Sequence, residues 1–139
     1  MIKHTTPIRV RYADTDQMKN VYYARYFEYF EQGRSDLLRD IGMPYPQVEE
    51  MGIHLPVIEA HAVYRRPVRY DDLLKVVTMV KEVPVARIRL DYEVHVDGET
   101  ELVAEGYTIH SFVNATTGRP TRAPAQFLER TEDRMQKRK

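Results

Sequence analysis

One change of rhythm constrains this chain more than any other feature of it. Ile8, Val10 and Tyr12 alternate with Arg9, Arg11 and Ala13, the two-residue period of a half-buried strand. From Val21 the period lengthens. Tyr23, Tyr26, Phe27, Phe30, Gly33, Leu37 and Ile41 recur at steps of three and four, which is one face of a helix. Gly42 lies just past the last apolar position and Pro44 follows soon after, so the helix stops there. A strand therefore runs through a short polar turn into one long helix, and the two must share a core.

The turn between them carries Asp14, Asp16 and Asn20. Asp16 stands ahead of a helix whose first turn has backbone N–H groups without intrahelical partners. The positive end of the helix dipole favours any oxyanion that develops there. A carboxylate fixed beside such donors can act as a base toward water or as a nucleophile on an activated acyl group. Asp ahead of a helix is more commonly a cap. The residues alone leave both uses open.

The rest of the chain reads as strands. Met43 to Leu55 is an irregular crossing with a helical turn around Gln47 to Met51. Val57 to Arg66 is extended, with apolar residues on both faces, and Pro67 ends it. Asp71-Asp72 is a turn ahead of the Val-rich strand Leu73 to Glu82. Arg87 to Val96 alternates without a break, and Asp97-Gly98 is a hairpin signal. Glu101 to Val113 is the last long strand, with Gly106 marking a bulge or a close backbone approach. One strand, a long helix and four further strands make an α+β class with an antiparallel sheet packed on the helix.

Composition removes several functions. With 139 residues the chain reads as one domain, 1–139, with its core at about 8–128 and a polar tail at 129–139. The tail's Arg134, Lys137, Arg138 and Lys139 read as a solvated helix end. There are no cysteines, which removes disulfides, thiolate metal sites and a Cys nucleophile together. No apolar run approaches the ~20 residues that span a bilayer, and the start lacks an export pattern, so a cytoplasmic protein without membrane contact is expected. A formal net charge of zero gives no general attraction to nucleic acid. His61, His95 and His110 show no metal-ligand spacing, so no metal is assigned. The aromatic residues Tyr22, Tyr23, Tyr26, Phe27, Tyr29 and Phe30 run all the way round the helix, more than one sheet can bury. A homo-oligomer follows, expected as a tetramer built from dimers that join sheets edge to edge.

Three stretches together carry a resemblance. Tyr12-x-Asp14-Thr15-Asp16, continuing to Val21-x-Tyr23-Ala24-x-Tyr26 and Phe30-Glu31-x-x-Arg34, is similar to the signature of hot-dog-fold acyl-CoA thioesterases of the 4-hydroxybenzoyl-CoA thioesterase type. The likeness continues, in order, through Tyr64 to Asp72 and Asn114 to Pro120, and spans roughly residues 8–128. It implies a five-stranded antiparallel sheet in order 1-3-4-5-2 wrapped around the helix. It also implies hydrolysis of an acyl-CoA or acyl-carrier-protein thioester, with water as second substrate and no cofactor.

The resemblance also assigns residues. Asp16 matches the catalytic carboxylate, which serves as nucleophile or as base for water; Asp14 matches a structural position. Tyr23 matches the position whose backbone N–H polarises the thioester carbonyl, where many relatives carry His. Lys19 and Asn20 replace small or glycine residues, and a lysine restricts the turn if φ is positive there. His54 matches a position facing the acyl group. Glu59 is either an auxiliary carboxylate or, as the commoner case, the ion-pair partner of a strand arginine. Arg65, Arg66, Arg87 and Arg89 are candidates for the phosphates of CoA. Two competing readings share this fold: a non-catalytic acyl-CoA-binding or regulatory module, and a hydratase, whose Asp/His hydration motif is absent.

Overall fold

Strand β1 (Ile2–Arg9) begins earlier, and helix α1 (Arg25–Asp40) later, than the alternation suggests. The computed structural model describes residues 1–137. β1 stops at Arg9 because the next residues pair with a turn instead of a strand. Val10 N–H donates to the Asp72 carbonyl and Val10 C=O accepts from Asp71, both at 2.9 Å. Tyr12–Asp14 then forms one 3₁₀ turn, and the Tyr12 ring is 74% exposed rather than part of the core. The helix is delayed for a similar reason. Val21 is still bridged to Thr15 and Asn20 to Arg69, with Val21 N–H on the Val68 carbonyl and Tyr22 N–H on the Asp14 carbonyl, so the chain turns helical only after these sheet-like contacts end.

After α1 come α2 (Tyr45–Glu50), the short β2 (Ile53–His54), β3 (Val57–Tyr64), β4 (Leu73–Val80), β5 (Arg87–Val96), β6 (Ala104–Ser111), the short β7 (Val113–Asn114) and α3 (Ala125–Lys137). The five long strands form one antiparallel sheet in order β1-β4-β5-β6-β3, and β2 pairs with β7 beside it. Counting long strands alone, this is the order 1-3-4-5-2 and the α+β hot-dog arrangement, with the sheet around one long helix.

Helix α1 buries Tyr26, Tyr29, Phe30, Gly33, Leu37 and Leu38. Tyr23 and Phe27, placed on the inner face by spacing, are exposed; Tyr29 and Leu38 take the inner places. The helix ends in a glycine cap. Gly42 has φ +81°, its N–H bonds the Arg39 carbonyl at 3.0 Å, and Met43 N–H bonds the Leu38 carbonyl at 2.8 Å. Against the sheet, the Phe30 ring stacks on Tyr92 with centroids 4.3 Å apart and planes within 5°.

The tail is more ordered than its composition suggests. α3 buries Phe127 against Phe112 and inserts Thr131, while Arg134 bonds the carbonyl and carboxylate of Asp40 at 2.7 and 2.6 Å. Arg138 and Lys139 lie outside the described residues. Among the described residues, no helix is long and apolar enough to cross a membrane.

Of the two readings of Gly106, the structure has the close backbone approach, since the β3–β6 register shift lies at Val57/Glu59 instead. A β-carbon there would stand 2.2 Å from the His61 carbonyl oxygen of β3 and 2.9 Å from the Phe30 ring. Overpacking of this kind costs ~1–3 kcal/mol, and backbone on one side leaves little room to relax. Gly106→Ala is therefore expected to lower the free energy of unfolding by about 2 kcal/mol or more, measured by urea denaturation.

Candidate active site

The turn at Asp16 is closed from both sides. Asp16 N–H donates to the Asn20 carbonyl at 2.8 Å, and Lys19 N–H donates back to the Asp16 carbonyl at 2.9 Å. The Asp16 side chain finishes the turn with one oxygen. Its Oδ1 accepts from the N–H groups of Met18 at 2.9 Å and Asn20 at 3.2 Å. Among the described residues Oδ2 has no partner, and the residue is exposed. Lys19 sits at φ +67°, the left-handed region that disfavours a side chain. The turn adopts it nonetheless, held by these bonds.

Asp14 does the opposite work. It is 2% exposed and its carboxylate is fully engaged. Arg11 N–H donates to Oδ2 at 3.1 Å, the Arg11 guanidinium to Oδ1 at 3.1 Å, and the Tyr29 hydroxyl to Oδ2 at 2.9 Å. Burial alone would push this carboxyl above the usual range. The donors outweigh it, led by the Arg11 amide and guanidinium and then Tyr29, and hold it below. The Tyr29 hydroxyl is pushed far up by burial and by the Asp14 anion, so it remains a donor. Asp14 thereby ties the 3₁₀ turn to α1, and its carbonyl receives Tyr22 N–H at 2.8 Å.

Asp16 and Tyr23 line one groove of about 370 Å³ with Tyr26, Tyr64, Arg65 and Arg66. The backbone around Tyr23 is already helical in its bonding: Arg25 N–H reaches the Tyr22 carbonyl at 2.9 Å and Tyr26 N–H the Tyr23 carbonyl at 3.2 Å. Among the described residues no backbone carbonyl accepts from the Tyr23 amide. It is one of the spare donors of a helix start. The Tyr64 hydroxyl donates to the Tyr23 carbonyl at 3.2 Å, fixing the last residue of β3 to this point. The Tyr26 hydroxyl is pushed up to about 12, first by burial and then by Tyr64, so the groove floor is neutral.

Other candidate residues fall elsewhere or are already engaged. Arg65 lines the groove but pairs with Glu105 at 3.3 Å, and Arg66 pairs with Glu99 at 2.7 Å. Arg87 and Arg89 alternate with the buried Ile88 and Leu90, so they occupy the sheet face turned away from α1. There they line a separate depression with Lys81 and Asp91. Glu59 accepts from the Tyr107 hydroxyl rather than from a strand arginine. Arg89 instead lies 4.0 Å over the Tyr107 ring and pairs with Asp91 at 3.1 Å. His54 is exposed, opposite Val113 in the short β2–β7 ladder. Among the described residues no three His, Asp or Glu side chains cluster as metal ligands.

Tyr64, Tyr26 and the Arg11–Tyr29 pair were not singled out by the sequence. Tyr26 and Tyr29 belong to the aromatic run, but nothing local tells which ring meets a carboxylate fifteen residues earlier. His110 is buried between the Leu55 carbonyl at 3.0 Å and Thr108 Oγ1 at 2.9 Å. Burial holds it down to about 4, against the bond to Leu55, so it is a neutral core group away from the groove.

A family profile described as the thioesterase-like superfamily matches residues 10–131. The hypothetical protein TT1821 of Thermus thermophilus has a similar structure, with a TM-score of 0.85, 34% identity, and coverage of 94% of this chain and 96% of that one. The DHNA-CoA thioesterase of Staphylococcus aureus superposes with a TM-score of 0.86 at 29% identity, covering 99% of this chain and 91% of that one. The acyl-CoA thioesterase YbgC of Haemophilus influenzae is 39% identical over 83 residues, 59% of this chain and 61% of that protein.

The Asp14 cluster sets an acid limit on stability. Its folded carboxyl lies below the ordinary carboxylate value, so its contribution is complete above about pH 4 and is lost as pH falls through the lowered value. Asp14→Asn removes the anion at every pH, and hydrogen bonds to a buried charge are worth ~1.5–3 kcal/mol. In urea titrations the variant should be about 2 kcal/mol less stable at pH 7, and the gap should narrow at pH 3.

Proposed function

The chain belongs to the thioesterase-like superfamily, and on that premise we propose that it hydrolyses an acyl-CoA thioester to a free acid and a thiol, with Asp16 at the reacting centre. The observation that carries this reading is the division within the Asp16 carboxylate. One oxygen is held by two backbone donors, and the other points its lone pairs at no partner among the described residues, in the same groove as the spare amide of Tyr23.

Two routes suit that arrangement. In one, Asp16 Oδ2 takes a proton from water as the water oxygen attacks the thioester carbon. In the other, Oδ2 attacks directly and water then cleaves the mixed anhydride. Either way the carbonyl oxygen gains negative charge toward the Tyr23 N–H. The C–S bond breaks, and the thiolate leaves and takes up a proton. One such amide donor is worth ~3 kcal/mol in the transition state. Relatives whose printed names include acyl-CoA thioesterase and DHNA-CoA thioesterase support a CoA thioester as substrate.

A panel of acyl-CoAs, followed by release of free thiol, tests the activity and the acyl preference together. Asp16→Asn keeps the Oδ1 acceptor and the turn. It is expected to lower kcat by ~10²–10⁴-fold, with little change in Tm. An equal loss for Asp14→Asn at unchanged Tm would overturn this assignment of roles.

The working unit in this proposal is an oligomer. β3 is an edge strand, and its Val57, Ile58 and Tyr64 are exposed apolar residues beside an open ladder. Pairing with β3 of a second copy would satisfy that edge and wall the groove at Tyr64; two such dimers make the expected tetramer. Light scattering at micromolar concentration should give a dimer or tetramer mass, and a stable monomer overturns it.

A further inference from the structure

One buried tyrosine beside the reacting turn has a hydroxyl that the protein leaves unmatched. Tyr26 is 3% exposed and lines the groove with Asp16 and Tyr23. The hydroxyls of the other tyrosines set into the core are bonded: Tyr29 to Asp14 at 2.9 Å, Tyr45 to the Leu55 carbonyl at 3.1 Å, and Tyr92 to Thr108 at 2.6 Å. Among the described residues nothing bonds the Tyr26 hydroxyl; burial and the charges of Tyr64 and Arg66 are what act on it. Both of those residues line the same groove. Among the described residues, the polar side-chain atoms closed off without a partner belong to Thr6, Arg34, Arg66 and Thr78. The Tyr26 hydroxyl keeps access, and the groove is the space it reaches.

An unmatched hydroxyl in a buried ring is destabilising until a ligand atom meets it. Burial pushes this hydroxyl up to about 12, so it stays protonated and offers a donor. The atom it suits is an uncharged acceptor. Arg66, the cation that acts on it, is already held by Glu99 at 2.7 Å and Glu101 at 3.6 Å, which leaves no excess positive charge for a carboxylate. A ligand hydroxyl would bring a proton of its own to place, and the Tyr23 carbonyl already accepts from Tyr64. The rings also form no slot for a flat group. Tyr64 stands at 69° to Tyr23 and at 52° to Tyr26, and a flexible chain follows such walls better than a planar ring does.

We infer that Tyr26 is a specificity-determining residue whose hydroxyl donates to an oxo oxygen on a flexible acyl chain, so that the groove selects oxo-acyl thioesters over plain hydrocarbon ones. This rests on the thioesterase reading and names the substrate class within it. A site with a buried donor discriminates against the chain that leaves the donor unpaired. Here the bond is between neutral groups and the groove is open on one side, so the preference is ~10–100-fold.

The test compares hexanoyl-CoA with its 3-oxo, 4-oxo and 5-oxo forms, and with the matching hydroxy forms, on the full-length protein and on Tyr26→Phe, which removes only the hydroxyl. One oxo isomer should exceed hexanoyl-CoA in kcat/KM by ~10–100-fold in the wild type, and that ratio should fall to near unity in Tyr26→Phe. The Tm of Tyr26→Phe should hold or rise, because the protein offers this hydroxyl no partner. Tyr29→Phe, which loses its bond to Asp14, should melt lower. Analogues with a methylene in place of the thioester sulfur are titrated calorimetrically, so that binding is read without turnover. The favoured oxo analogue should bind more tightly than the plain chain to the wild type, and equally to Tyr26→Phe. Equal rates and affinities for plain and oxo chains mean that water alone meets the hydroxyl, and overturn the proposal. A preference that survives in Tyr26→Phe, a hydroxy chain favoured over every oxo chain, or a Tm loss in Tyr26→Phe as large as in Tyr29→Phe also overturns it. If the oxo analogue binds as expected but no thioester is cleaved, the oxo subsite stands and the proposed activity fails.

Discussion

The closeness of α1 to the sheet is the constraint on which the rest depends. Phe30 lies flat on Tyr92, a contact possible only if the helix axis comes near the strands. Gly33 permits it, since a β-carbon there would stand 2.5 Å from Thr78 Oγ1, and Gly106 permits the ring to sit over β6. The approach also has a drawback: Thr78 Oγ1 is buried without a hydrogen-bond partner among the described residues. Tight packing of aromatic area over the central strands offsets that penalty. Once the helix is seated, its first turn has a fixed place at one end of the sheet, and the Asp14–Asp16 segment is positioned by it.

Two aspartates two residues apart then divide the labour by burial. A buried carboxylate must be surrounded by donors or it will not stay charged. Asp14 has the Arg11 amide, the Arg11 guanidinium and the Tyr29 hydroxyl, and it locks the turn to the helix. An exposed carboxylate is under no such demand, so Asp16 can give one oxygen to the turn and keep the other free. The free oxygen exists because its neighbour carries the structural load.

How much of this was legible follows from which partners are local. β5 was readable to its end residues, because its buried face alternates strictly and its turn carries Gly98. The C-terminal stop of α1 was equally plain at Gly42. The helix start was not. Val21 and Tyr22 have helical spacing, but their amides are claimed by Val68 and Asp14, and partners so far along the chain leave no local trace. The same limit hid the engagements of Glu59 and of the arginines. Arg65 and Glu105 meet across the β3–β6 ladder, and Glu59 meets Tyr107 of the next strand, pairings fixed by register rather than by residue type. Asp16 could be picked out from its motif. Which of its oxygens is free could be seen only once Met18 and Asn20 had folded back on it.

An exposed carboxylate in an open groove raises a physical question that the groove itself answers. Water around an exposed Asp16 weakens its pull on anything nearby. The spare amide of Tyr23 is likewise a modest donor while water can compete for it. Both become stronger when the groove is dried, and part of its wall is suited to that: Tyr23, Tyr26, Tyr64 and Pro67 present apolar surface beside Asp16, Arg65 and Arg66. On the proposed reading a bound acyl chain would cover one side. The open side adjoins β3, whose outer edge has no strand beside it in this chain. In the proposed oligomer a second copy paired on that edge would also wall the groove at Tyr64, so covering an exposed strand and drying the proposed reacting centre would be one event. On the proposed reading, that reserves the full electrostatic effect of Asp16 for the occupied state.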